Sequence, residues 1–121
     1  MPNNPNPANL TGLGGNPALQ WLIQNDPYLA SNLSLAMSQG NLTGFNTNNA
    51  AGTGAIYGVN PGIISIDPGT LAAANNLFNN GVYAGVSAAN LTTLLTLDFQ
   101  LNHETWHADV NTYVTDYGDT V

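Results

Sequence analysis

The chain contains no lysine and no arginine among its 121 residues, against six aspartates and a single glutamate, and its formal net charge is -7. Conventional salt bridges are therefore excluded, and each carboxylate has to be solvated, hydrogen-bonded to neutral donors or bound to a metal ion. Such a surface is repelled by phosphate backbones and by anionic lipid, both of which recruit Lys and Arg. Nucleic acid and membrane are not expected partners. Cysteine is missing too, so there is no disulfide framework and no redox compartment to read from one. No apolar run reaches membrane-spanning length, and the opening Met-Pro-Asn-Asn-Pro lacks the basic segment and apolar stretch of a secretory signal. The expectation is a secreted or exported protein without a conventional signal peptide, a cytoplasmic protein, or a processed domain. The missing cations fit a composition rich in Asn, Gly, Ser and Thr, as in some exported bacterial proteins, or selection against lysine modification and trypsin-like cleavage.

What is present suits one small domain, since a chain of this length with a hydrophobic share of 43% can bury a single core. Residues 1–15, rich in Pro, Asn and Gly, read as a flexible lead-in that is mobile unless docked, and residues 16–121 as the domain. Pro17 and Pro27, each preceded by a capping residue, mark two helix starts. The second helix is expected to stop at Gly40, with Trp21, Leu29, Leu33 and Met37 in the core. Residues 41–54 read as a loop. The β-branched and aromatic runs at 55–59 and 62–67 predict a hairpin or two adjacent strands. Thr70 is placed as the cap of a short helix over 71–78, followed by a strand or turn at 81–86. Ser87 is a good cap for a helix over 88–110, and Leu91, Leu94, Leu95, Leu101 and Trp106 around it predict a central, mostly buried element. The class is α+β.

Both histidines and the sole glutamate of the chain fall in one stretch, His103-Glu104-Thr105-Trp106-His107. In a helix, residues four apart project from the same face one turn apart, so His103 and His107 can bind one tetrahedral zinc through imidazole nitrogens. Glu104 flanks that face and can act as general base on the water that a catalytic zinc holds at its open position. The remaining protein ligand has to be an aspartate, because no His, Cys or further Glu is left. Asp109 lies roughly 200° around a continuing helix and points away. Asp116 is the first choice, Asp119 the reserve and Asp67 a distant third. Trp106, away from the zinc face, is expected in the core.

On this His-Glu-x-x-His stretch the chain resembles the zincin metallopeptidases, whose active-site helix lies below a sheet with an edge strand that aligns a peptide substrate. Thr115-Asp116-Tyr117-Gly118 is similar to part of the aspzincin Gly-Thr-x-Asp-x-x-Tyr-Gly pattern, with Tyr113 in place of its first Gly and the Tyr-Gly pair early. The resemblance covers about the last quarter of the chain. It implies a small α+β zincin-like domain in which the helix packs under a short sheet or hairpin, with additional helices N-terminal to it. It also implies zinc-dependent hydrolysis of peptide or protein substrates, with His103, His107 and Asp116 as ligands, Glu104 as base, and Tyr117 or Tyr113 as oxyanion donor. The alternatives are a metal-stabilised binding module without turnover, and a degenerate zincin that acts by binding a partner.

Overall fold

Proline sets the first two helices. The computed structural model describes residues 5–48, 54–58, 62–79, 82–83 and 88–110. In it, α1 (Pro17–Asn25) and α2 (Pro27–Ser38) both carry Pro in the first turn, where the missing N–H has no helical partner to lose. Asp26 both ends α1 and caps α2, its Oδ1 accepting the N–H groups of Tyr28 at 3.0 Å and Leu29 at 3.2 Å. Gly40, at φ +76°, reverses the chain, and Asn41 N–H returns to Ala36 O at 2.9 Å. Leu29 and Leu33 are buried as expected, while Trp21 and Met37 pack against the core from its margin.

The stretch expected to be a loop contains β1 (Gly44–Asn46), which pairs parallel with β3 (Ile63–Ile66). Of Gly, Phe and Asn only Phe favours a strand, too little for the sequence to register one, and it is pairing with β3 that makes the three a strand. β2 (Ala55–Gly58) runs antiparallel to β3 in the expected hairpin, so the order is β1-β3-β2 and β2 lies at an edge. From Pro5 onward the lead-in is docked: Thr11 bridges Gly44, Leu10 and Leu13 are buried, and Ser34 Oγ donates to Pro5 O at 2.6 Å.

α3 (Pro68–Asn75) begins before Thr70, because Asp67 is its cap and accepts Thr70 N–H at 2.9 Å and Thr70 Oγ–H at 2.8 Å. It also ends before Phe78, which belongs to β4 (Phe78–Asn79), paired antiparallel with β5 (Val82–Tyr83). The last described element, α4 (Ala88–Val110), is the expected long helix and packs against α2, α3 and β2. Its burial is one-sided. Leu94, Leu97, Leu101 and Ala108 are in the core, whereas Leu91, Leu95, Phe99 and Trp106 are exposed. The expectation of a mostly buried helix, with Trp106 in the core, is thus corrected: its neighbours cover one face only, and Trp106 is on the other.

Where α4 crosses the α1–α2 corner, two carboxyl groups meet. Burial pushes Asp98 up from 3.8 to about 7, and its hydrogen bond to Asp26 and the charge there add to the rise. Burial would raise Asp26 as well, but hydrogen bonds from Asp98, Asn102, Leu29 and Tyr28 more than offset it and hold Asp26 below its ordinary value. The two have opposite consequences for stability. Asp98 binds its proton more tightly when folded, so its contribution is full below about pH 4 and is lost as pH rises through about 7. Asp26 contributes above 3.8 and loses that contribution in stronger acid. Thermal melts across pH 4 to 8 are therefore expected to give a falling midpoint as pH rises, with the Asp98→Asn variant markedly flatter. A wild-type midpoint that climbs toward neutrality would contradict this.

Candidate metal centre

His103, Glu104 and His107 owe their meeting to the register of α4. One ligand atom from each lies within 4.8 Å of the other two, and among the described residues no other group of three His, Cys, Asp or Glu side chains comes this close. The imidazole rings of His103 and His107 stand edge to face, with centroids 5.1 Å apart and planes at 82°. A tetrahedral zinc with nitrogens at 2.0–2.1 Å holds its ligands roughly 3.4 Å apart. The observed spacing reaches that by modest side-chain rotation, and two imidazoles beside a carboxylate are a donor set suited to a divalent ion. The group can hold a metal; the same donor set suits several first-row ions.

Burial grades across the site. Glu104 is 2% and His107 1% exposed, whereas the His103 side chain is 36% exposed, so the site opens to solvent past His103. Trp106 shields His107 on one side, its ring centroid 5.0 Å away.

Glu104 is held by the sheet. Its Oε1 accepts the backbone N–H of Tyr57 at 2.7 Å, and its Oε2 lies 3.7 Å from His103 Nε2. A buried carboxylate needs such a donor, particularly in a chain with no Lys or Arg to supply one. The Tyr57 N–H is available because β2 is an edge strand, with β3 on one side and α4 on the other. Tyr57 is itself buried, which pushes its hydroxyl up, and the hydroxyl donates to Asn41 O at 2.6 Å. Asn41 completes the frame. Its Nδ2 donates to Ala108 O at 2.9 Å, satisfying one of the last-turn carbonyls of α4 immediately after His107.

Tyr57 and Asn41 were not legible as site residues. Tyr57 contributes a backbone group, which no residue type announces, and Asn41 sits in an Asn-Leu-Thr triplet that recurs at Asn9 and Asn90. Of the other expected residues, Asp67 is engaged as the cap of α3. Asp109 lies on the continuing helix, with its Oδ1 buried and burial pushing it up to about 6. Asp116, Asp119, Tyr113 and Tyr117 lie outside the described residues. No described helix is long and apolar enough to cross a membrane. Compared with protein-family models, curated proteins and solved structures, the chain matches none.

Proposed function

We propose that this chain is a zinc-dependent endopeptidase of zincin type. The observation that carries the reading is the setting of Glu104: a buried carboxylate beside two helix histidines, with one oxygen fixed by the N–H of an edge strand and the other turned toward His103. With His103, His107 and Asp116 taken as the ligands, Glu104 is left the role of base rather than of ligand.

In this reading His103 and His107 hold the ion together with Asp116. Zinc bound there would supply Lewis acidity and make water acidic enough to attack near neutral pH. Glu104 Oε2 takes the proton of the attacking water and passes it to the leaving amine, while Oε1 stays on Tyr57 N–H and keeps the carboxylate aimed. Solvent access past His103 gives a substrate its approach. Tyr117 or Tyr113 is the donor for the oxyanion. The net charge of -7 favours basic substrate sequences.

The test is elemental analysis of the purified chain together with hydrolysis of a fluorogenic peptide library, with and without a zinc chelator. About one zinc per chain is expected, with hydrolysis that the chelator stops and added zinc restores. A folded chain that takes up no zinc would end the peptidase reading and leave a metal-free binding module as the better account.

A further inference from the structure

Three arcs divide the circumference of α4 at about 100° per residue. One carries the core leucines, the next carries His103 and His107, and the third carries Leu91, Leu95, Phe99 and Trp106. Exposures on this third arc are 42%, 56%, 70% and 44%. Trp106 packs on His107, but Leu91, Leu95 and Phe99, at helical spacing on the outside of a small domain, cost solvation free energy, and such a stripe is how helices seat partners. Among the described residues no element covers it.

The stripe has a polar neighbour of one sign. Beside Leu95 it opens into a cleft of about 280 Å³ between α4 and the α1–α2 corner, lined by apolar Trp21, Leu22 and Leu95 and by polar Asn25, Asp26 and Asp98. Asp98 hydrogen-bonds Asp26, yet its Oδ1 is buried without a hydrogen-bond partner. Asn102 Nδ2 donates to Asp26 Oδ2 at 3.1 Å, a neutral donor beside a pair of acids. A chain with no Lys or Arg has no cation to give this pair. Any cation there comes from outside.

We infer that the Leu91-Leu95-Phe99 stripe and the adjoining Asp26/Asp98 cleft form a docking surface for an amphipathic helix of another protein, one that bears lysine or arginine beside its apolar face. The apolar residues of that helix cover Leu95 and Phe99, and a cationic side chain enters the cleft with its methylenes against Trp21 and its charge between the two carboxyls. A second copy of this chain is a poor occupant, because it would set acid against acid with no cation on either side. The surface is separate from the His103–His107 arc, and its test reads binding alone, so it stands or falls apart from the peptidase reading.

The probe is a fluorescein-labelled synthetic helix of about five turns built from Leu and Lys, titrated with the full chain at about 0.15 M ionic strength, beside a Leu/Glu helix of the same pattern. Saturable binding of the Leu/Lys helix alone is expected. It should weaken at least tenfold in the double variant Leu95→Gln, Phe99→Gln and severalfold in Asp98→Asn. Both leucine and phenylalanine positions are more than half exposed, so circular dichroism and melting of the double variant should match wild type. Four outcomes would overturn the inference. These are no binding of the Leu/Lys helix; equal binding by the double variant, which marks plain charge attraction; equal binding of the Leu/Glu helix; and self-association or neutral-vesicle binding of the free chain that the double variant abolishes.

Discussion

Glu104→Gln is expected to lower peptide hydrolysis by about 10²- to 10⁴-fold while the ion stays bound and the fold stays intact. The amide cannot take a proton from water, yet its oxygen can still accept the Tyr57 N–H that Glu104 Oε1 now accepts at 2.7 Å. The two roles of this side chain are therefore separable by substitution. Glu104→Ala removes both, and with the acceptor gone at a 2% exposed position it should cost a further ~1–3 kcal/mol of stability for the buried donor left behind. Hydrolysis rates, zinc content and thermal melts on the three proteins distinguish these effects. Undiminished hydrolysis in Glu104→Gln would move the base elsewhere and remove the main support for the proposed mechanism.

His107→Ala is expected to abolish zinc binding and all hydrolysis, and to destabilise the metal-free chain as well. His107 is 1% exposed and packs against the rings of His103 and Trp106, so its removal leaves a hole in packed surroundings. Large-to-small changes at such positions cost about 2–5 kcal/mol. His103→Ala makes the useful contrast. Its side chain is 36% exposed, so the variant should lose the ion and the activity with little change in the melting of the metal-free chain. Zinc retained at full occupancy in both variants would place the metal outside this helix.

These expectations draw on two sources that contributed differently. Local features were legible because their physics is local. A proline after a capping residue starts a helix wherever it occurs, and Pro17 and Pro27 do so here. A spacing of four puts His103 and His107 on one side of any helix, and their proximity within the group of three follows once α4 forms. The hairpin of β2 and β3 followed from β-branched and aromatic runs flanking a turn. The cap of α3 was misplaced by three residues because Asp67 and Thr70 are both good capping residues, and only the backbone path selects between them.

Packing governs what depends on neighbours distant in the chain. β1 exists because β3 and Thr11 flank it, since one Phe between Gly and Asn is too weak a strand signal. Trp106, expected in the core because it lies away from the zinc face, is 44% exposed because α2, α3 and β2 occupy the other face of α4. The rise of Asp98 to about 7 comes first from its burial and then from Asp26, 72 positions earlier, and both follow from the packing of α4 on the α1–α2 corner. The aim of Glu104 needs the backbone N–H of Tyr57, a group every residue but proline carries and no sequence pattern distinguishes. Residue type and spacing set which side chains could do metal chemistry and put them on one helix. Which carboxylate is buried, what holds it and which face stays open were left to packing, because those properties belong to contacts between elements and not to any one of them.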